Sequence, residues 1–238
     1  MRIVPMHLGN IGRDKSSFTC GRNQGVRIEL PIIAWLVETN AEKIIVDTGT
    51  NAPERTAQHH KPLSRSKEQE LPFVLKLLGV DPFEIKTVIL THLHWDHCYN
   101  TELFPNARCI VQREELRYAI APLPLHEHAY DPEPIRCTRY TLINGDKQIA
   151  DGVSVVCTPG HTPGFQSVLI QGNDRKVLIA SDTIPLFENW SETSPLPGGV
   201  FNSLEAYYST FDRVRELHAD LILPGHDIKV FDQAEYLV

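Results

Sequence analysis

Residues 91–97 have the sequence T-H-L-H-W-D-H, and this motif restricts the possible folds and functions of the chain more than any other. It directly follows a short apolar, β-branched segment. Such a segment predicts a buried strand. Side chains alternate along an extended chain, so His92 and His94 point to the same side and can share one metal ion. Asp96 and His97 lie where the chain turns off the strand end, and they can reach a second metal ion nearby.

A purely structural role for this cluster is disfavoured by the cost of burying it. Imidazoles and a carboxylate buried together without a metal would leave unpaired polar groups, at a cost of about 1–3 kcal/mol each. Imidazole and carboxylate are zinc ligands, although iron, manganese and cobalt accept the same groups. We therefore predict a metal centre, with zinc as the expected metal.

Three further residues of metal-ligand type follow predicted strands elsewhere in the chain. His161 lies in P-G-H-T-P-G, Asp182 ends I-A-S-D, and His226 follows L-P-G. Taken alone, each histidine would be interpreted as a capped or solvent-facing residue. Because strand ends on one edge of a fold commonly carry functional loops, we expect these residues to complete the centre.

The four motifs, in this order between about residues 32 and 227, resemble those of the metallo-β-lactamase superfamily. The resemblance implies an α+β fold in which residues 1–238 form a single hydrolase domain. Its architecture would be a four-layer αβ/βα sandwich, with two packed sheets and helices outside them. The implied ligand sets are His92, His94 and His161 for one metal ion and Asp96, His97 and His226 for the other, with Asp182 bridging. It also implies that Asp47, in V-D-T-G, orients a ligand imidazole.

In length and layout the chain is most similar to the N-acyl homoserine lactonase branch of that superfamily. This resemblance implies a hydrolase in which a hydroxide held by two zinc ions opens a lactone or cleaves a related ester. The expected substrate is a small lactone or ester, with an N-acyl homoserine lactone as one candidate. Asp96 and Asp182 are the expected catalytic residues, with Asp96 helping to manage the proton after attack.

The chain departs from that branch at Pro185. Those enzymes often carry a tyrosine there, three residues after the bridging aspartate, where it assists the carbonyl oxygen or the leaving group. Tyr99, Tyr207 and Tyr208 are candidate replacements, although we favour their interpretation as core or surface aromatics. The departure leaves the substrate open between a lactone and a related ester.

Two other functions stay open at this point. A phosphoester or a thioester, as in glyoxalase-II-like enzymes, would also suit a pair of metal ions. A non-catalytic metal-binding protein is the third possibility, and we disfavour it because all seven ligand-type residues are present. Secreted β-lactamases commonly have cysteine in place of Asp182, and flavo-diiron proteins have glutamate in place of His94, so neither branch fits.

Charge and composition restrict the partners. The 238 residues carry a formal net charge of -7, which argues against nucleic-acid binding through neutralised phosphates. No apolar stretch reaches the roughly 20 residues that span a bilayer, and the N-terminus lacks the apolar core of a signal peptide. We expect a cytoplasmic monomer or homodimer whose five cysteines are free thiols.

Periodicity predicts the elements around the centre. The predicted strands are residues 32–37, 43–47, 87–90, 108–111, 153–157, 166–170, 177–180 and 221–223. The predicted helices are residues 71–80, 113–120 and 203–217, the last with Leu204, Tyr207, Tyr208, Phe211 and Val214 along one stripe. Loops at residues 51–70, 121–136 and 184–200 are expected to shape the pocket.

Some loop residues have two interpretations. Phe187, Trp190 and Phe201 could line an apolar acyl pocket, although we favour ordinary packing. His126 and His128, on the proline-rich loop at residues 121–136, could approach a substrate, although we favour a structural role. The remaining histidines are also interpreted as structural: His7, His59, His60 and His218.

Overall fold

The fold rests on two β-sheets in the computed structural model, which describes residues 1–52, 55 and 63–238. The first sheet contains β1 (Arg2–Asp14), β2 (Arg27–Glu38), β3 (Lys43–Val46), β4 (Leu63–Ser64), β5 (Thr87–Ile89), β6 (Arg108–Gln112), β7 (Tyr140–Ile143) and β13 (Tyr236–Leu237). The second contains β8 (Lys147–Ala150), β9 (Val153–Cys157), β10 (Gln166–Gln171), β11 (Lys176–Ser181) and β12 (Leu221–Pro224). The predicted hairpin is present as the antiparallel pair β2–β3.

Each sheet combines antiparallel and parallel pairing. The first runs in the order β13-β1-β2-β3-β5-β6-β7, with β4 paired to β1. Its strands β3, β5, β6 and β7 are parallel. The second runs β12-β11-β10-β9-β8, and β11 is parallel to β12. Parallel strands end at the same edge of a sheet, so the loops after β3 and β5 are neighbours, as are those after β11 and β12.

Four α-helices lie in the described part of the chain, and they cover the outer faces of the sheets. They are α1 (Leu71–Leu77), α2 (Arg113–Ile120), α3 (Pro132–Cys137) and α4 (Leu204–Glu216). Apolar residues of both sheets, such as Trp35 and Val168, meet in one buried core between them. A second core joins the first sheet to α1, α2 and α3, and a third joins the second sheet to α4. The predicted four-layer αβ/βα sandwich is therefore confirmed.

The structure differs from the predicted elements in three places. Residues 121–136 are not loop throughout, because α3 begins at Pro132, where a proline fits the first turn of a helix. Strands β1, β4, β7, β8 and β13 have no predicted counterpart. On α4 the stripe is narrower than predicted, since Leu204 and Tyr208 are exposed while Tyr207, Phe211 and Val214 are buried.

Within the predicted loop at residues 51–70, His59, His60 and their neighbours (53, 54 and 56–62) lie outside the described residues, and the described part includes β4. All five cysteines are described, and each is free as expected. Among the described residues, no helix combines the length and the apolar character that crossing a membrane requires.

Candidate metal centre

The loops that follow four strands bring the predicted ligands together. The loop after β5 carries His92, His94, Asp96 and His97, and those after β9, β11 and β12 carry the remaining three. All seven side chains are buried, with at most 8% of their surface exposed. The seven residues are His92, His94, Asp96, His97, His161, Asp182 and His226.

Their ligand atoms form groups small enough to hold a single ion. The atoms of His92, His94 and His161 lie within 4.8 Å of one another, and so do those of Asp96, His97 and His226. A third group of the same size contains His92, His97 and Asp182. Nε2 of His161 lies 3.0 Å from Nδ1 of His94, so these two nitrogens converge on one point. The two sets implied by the family resemblance share no residue and lie next to each other.

Asp182 lies between the two sets. Its Oδ1 is 3.1 Å from Nε2 of His226 and 3.5 Å from Nε2 of His97. Its Oδ2 is 3.4 Å from Nε2 of His161, on the other side. Oδ2 is also 3.3 Å from Nε2 of His226. The carboxylate therefore contacts histidines of both sets, which is the position that a bridging ligand needs.

Hydrogen bonds on the outer nitrogens fix the orientation of these imidazoles. Nδ1 of His161 is 2.8 Å from the Val200 carbonyl oxygen, and Nδ1 of His226 is 2.8 Å from that of Pro31. A carbonyl only accepts, so each Nδ1 carries a proton, and each Nε2 is the nitrogen left to bind a metal ion. This is the arrangement in which imidazole binds a metal ion.

Asp47 occupies the position expected of an orienting carboxylate. Its Oδ2 is 2.9 Å from Nδ1 of His97, and its Oδ1 accepts the Thr91 backbone N–H at 2.8 Å. Asp47 has a φ of 60°, a left-handed conformation that aspartate tolerates better than most residues. It therefore ties the end of β3 to both the start of the histidine motif and the ring of His97.

Atoms left without partners indicate that these residues fit metal ions. Nε2 of His92, Nε2 of His97 and Oδ1 of Asp182 are buried and make no hydrogen bond. Unpaired buried polar atoms are rare in folded proteins, and each costs about 1–3 kcal/mol. All three face the cluster, and all three are atoms that can ligate a divalent ion. The donor set of imidazole and carboxylate matches zinc or a similar ion.

The electrostatics of the cluster follow from burial and close approach. Burial, together with the neighbouring imidazoles, holds the pKa of His92 and of His94 well below the usual value. Burial also acts to lower the pKa of His97, but Asp182, Asp96 and Asp47 outweigh it and raise that pKa to about 10. Burial disfavours ionisation of Asp182, yet His226 and His97 outweigh it and hold the pKa of that carboxyl well below its usual range.

Glu115 is a buried carboxylate that the sequence analysis missed. It lies on α2 with 0% exposure, and it accepts hydrogen bonds from two ligand-bearing loops. The Leu93 N–H donates to Oε1 at 3.0 Å, while the Thr162 hydroxyl donates to Oε2 at 2.6 Å. Gly164 N–H also donates to Oε2, at 3.2 Å. Burial raises the pKa of Glu115 to about 7. Glu115 thus joins the loop of His92 and His94 to the loop of His161.

Replacing Glu115 by alanine is expected to loosen both loops at once. Three buried donors would lose their acceptor, so we expect the free energy of unfolding to fall by about 3 kcal/mol or more. Divalent-metal affinity should fall with it, by roughly 10–100-fold, the usual effect of losing a group that orients ligands. Chemical denaturation and metal competition titrations measure the two effects.

The adjacent Glu114 provides the matched control, because it lies on the same helix and pairs with Arg117 at the surface. An exposed pair contributes at most about 1 kcal/mol, so Glu114→Ala should leave metal affinity unchanged. Equal metal affinity in Glu114→Ala and Glu115→Ala would contradict the role given to Glu115.

A cavity opens onto the cluster, and the N-terminal strand supplies one of its walls. Its lining includes Ile11 and Arg13 from β1, Phe18, and Trp95 from the histidine motif. None of these four was expected from the sequence to line a pocket, and the position of Ile11 and Arg13 depends on the pairing of β1 with β2. The cavity wall also includes Pro185 and His128, so His128 approaches the centre, as its alternative interpretation allowed.

The other candidate pocket residues lie elsewhere. Trp190 and Phe201 pack on the core beneath α4, and Phe187 packs on the core between the sheets. His126 is 2.7 Å from the Tyr118 hydroxyl. The favoured interpretation of these aromatics as packing residues agrees with the structure.

None of the three candidate tyrosines lines this cavity among the described residues. The Tyr99 hydroxyl donates to Glu133 at 2.7 Å, and Tyr208 is exposed. Tyr207 is fully buried, and its hydroxyl donates to the backbone carbonyl of Asp182 at 2.6 Å. Tyr207 therefore stabilises the backbone of Asp182, whose side chain faces the metal centre.

The sequence has recognisable relatives. A family model described as the metallo-beta-lactamase superfamily matches residues 28–226. The N-acyl homoserine lactonase AiiA of Bacillus thuringiensis subsp. kurstaki is 31% identical over 232 residues, covering 91% of this chain and 89% of that protein. The N-acyl homoserine lactonase AttM of Agrobacterium fabrum is 27% identical over 248 residues, covering 95% of this chain and 93% of that one.

The fold is also similar to that of solved structures. One is an N-acyl homoserine lactone hydrolase with its product, N-hexanoyl-L-homoserine, bound at the catalytic metal centre. It superimposes with a TM-score of 0.83 at 28% identity, and the match covers 97% of this chain and 95% of that one. The likeness therefore extends over both sheets and all four strand ends that carry the cluster.

Proposed function

This chain belongs to the metallo-β-lactamase superfamily and is a metallo-hydrolase, and from this premise we propose that it opens the lactone ring of N-acyl homoserine lactones with two zinc ions. The relatives and the solved structure that cover nearly the whole chain carry that activity in their names. The donor chemistry of the cluster supports zinc as the metal.

The observation that carries the proposal is the pair of buried ligand sets with Asp182 between them. Two divalent ions held there would supply a water-derived nucleophile at neutral pH and stabilise negative charge on a carbonyl oxygen. His92, His94 and His161 would hold one ion, and Asp96, His97 and His226 the other.

The proposed roles of the chain's own residues follow from where they lie. Asp182, through its two oxygens, would fix the separation between the two sets. Asp96 lies at the cavity wall with 6% exposure, so its carboxylate can accept a proton from the attacking water and return it to the leaving alcohol. Phe18, Trp95 and Pro185 line the cavity and would keep bulk water from one side of a lactone ring bound there.

Metal content and substrate preference, measured on one sample, test the proposal. We expect close to two zinc ions per chain by plasma mass spectrometry, as the two ligand sets require, and ring opening of N-hexanoyl homoserine lactone. A phosphotriester and an acyl thioester form the comparison panel. Two metal ions with turnover of either ester, and none of the lactone, would replace the proposed substrate. A protein that takes up no metal after supplementation would contradict the centre itself.

Domain organisation, oligomeric state and cellular location stay predictions. We propose that residues 1–238 act as a single hydrolase domain, as a monomer or homodimer without nucleic-acid partners. Location in the cytoplasm also stays a prediction.

A further inference from the structure

The wall that β1 contributes to the cavity carries a fixed charge. Arg13, on β1, lines the same cavity as Asp96, Asp182 and His226. Among the described residues that line this cavity, Arg13 is the one with a permanent positive charge. The other cationic-type side chains there are histidines, and three of them face the metal centre.

The guanidinium is held by contacts on several sides. Its Cζ lies 5.9 Å from the centroid of the Trp95 ring, within the range of a cation–π interaction. Its Nη1 atom donates a hydrogen bond to the Gly12 carbonyl oxygen at 2.9 Å. Burial lowers the pKa of Arg13, and the nearby Asp96 carboxylate opposes that change. The guanidinium stays charged at neutral pH. A guanidinium has five N–H donors, and these contacts place it in a fixed orientation.

Apart from the Ser17 hydroxyl and the His128 imidazole, the remaining side chains of the wall outside the ligand sets offer few donors for a substrate. Phe18 and Val200 are apolar, and Pro185 has no N–H. Consider a lactone whose ring carbonyl lies at the metal centre. It offers a second carbonyl oxygen as an acceptor only if its side chain carries one. In an acylated homoserine lactone, the amide carbonyl is such an acceptor, a few bonds from the ring carbonyl.

We propose that Arg13 is a specificity-determining residue that donates a hydrogen bond to the amide carbonyl oxygen of the substrate. The inference rests on the proposed function, and it assigns the selection of amide-bearing lactones to this side chain. A charged donor in a half-buried wall binds a carbonyl more strongly than a neutral one does. A lactone without that oxygen forms no such bond and gains nothing from Arg13, so the preference comes from the added bond to the amide substrate.

Two substrates that differ in the amide test this assignment. One is N-hexanoyl homoserine lactone, and the other is an α-alkyl-γ-butyrolactone of the same chain length, which lacks the amide. Arg13→Met keeps the length of the side chain and removes its donors, while Arg13→Lys keeps the charge without the planar fork. Arg22→Met, at an exposed arginine close by in the sequence, is the matched control. Metal content and melting temperature of each variant are measured first.

For Arg13→Met we expect kcat/KM toward the amide substrate to fall roughly 10–100-fold, the size of a lost hydrogen bond to a charged donor. The loss should be mainly in KM, and kcat/KM toward the alkyl lactone should stay at the wild-type value. Arg13→Lys should lie between the two, and Arg22→Met should match wild type.

An equal loss on both substrates, or no loss on either, would overturn the role of Arg13 while leaving the lactonase proposal intact. A wild-type protein that opens neither lactone would overturn the proposed function, and the inference with it.

Discussion

Replacing Asp182 by asparagine is expected to separate the two halves of the metal centre. The carboxylate faces histidines of both sets, and its pKa lies well below the usual range because His226 and His97 favour the ionised form. Removing one member of a buried, charged network costs about 3–5 kcal/mol. We therefore expect the affinity for the second metal ion, and kcat/KM with it, to fall by roughly 10²–10³-fold.

Metal stoichiometry and turnover of Asp182→Asn should be compared with those of Asp174→Asn, which changes an exposed aspartate in the same way. The control should retain full metal content and activity. Asp182→Asn with two metal ions and near-normal turnover would show that Asp182 does not bridge the two sets. Because asparagine has the size of aspartate, no packing defect is expected, and a melting curve measures how far the loss of the buried charge lowers stability.

The histidine motif could be predicted because its geometry is local. His92 and His94 are two residues apart on an extended chain, and their common direction follows from that spacing alone. His161 and His226 lie in the same cluster because each follows an apolar strand, and these strand ends meet at one edge. Asp47 needed the family resemblance, since nothing in its own neighbourhood points to His97.

The residues that were missed depend on contacts distant in sequence. Glu115 is one of two adjacent glutamates on α2, and its sequence neighbours do not reveal that it is buried while Glu114 is exposed. The loops of Leu93 and Gly164 approach Glu115 in the fold and distinguish it from Glu114. A Cβ on Gly164 would lie 2.1 Å from the Glu115 nitrogen. Arg13 lies at the cavity because β1 pairs with β2.

Strand β1 was missed for a reason visible in its sequence. Pro5 and Gly9 interrupt it, and both residues demote a strand prediction. In the structure, its register with β2 shifts between His7 and Asn10, and Gly9 has a φ of 117°. This irregularity changes which side chains face the core, so the alternation that marks a regular strand is lost.

Removing the metal ions is expected to affect stability as well as turnover, because the centre buries atoms that have no other partner. Ions bound only by the folded state at 1,000 times their dissociation constant stabilise it by about 4 kcal/mol. For a domain of this size that corresponds to roughly 10 °C in melting temperature. We therefore expect a chelator to abolish lactone opening and to lower the melting temperature by that amount, with both restored by zinc.

The affinity of the protein for metal ions is expected to depend on pH, and the direction follows from the pKa of a ligand histidine. In the metal-free protein the pKa of His97 is about 10, so its imidazole is protonated at pH 7, and an ion must displace that proton to bind. Metal affinity should therefore rise as the pH rises from 6 to 8, with proton release detectable by calorimetry in buffers of different ionisation enthalpy. An affinity that does not change with pH would mean that His97 is already neutral in the metal-free state.

For the chelation experiment, loss of turnover without a change in melting temperature would contradict the stabilising role of the metal ions. It would mean that the unpaired atoms of His92, His97 and Asp182 are satisfied in some other way.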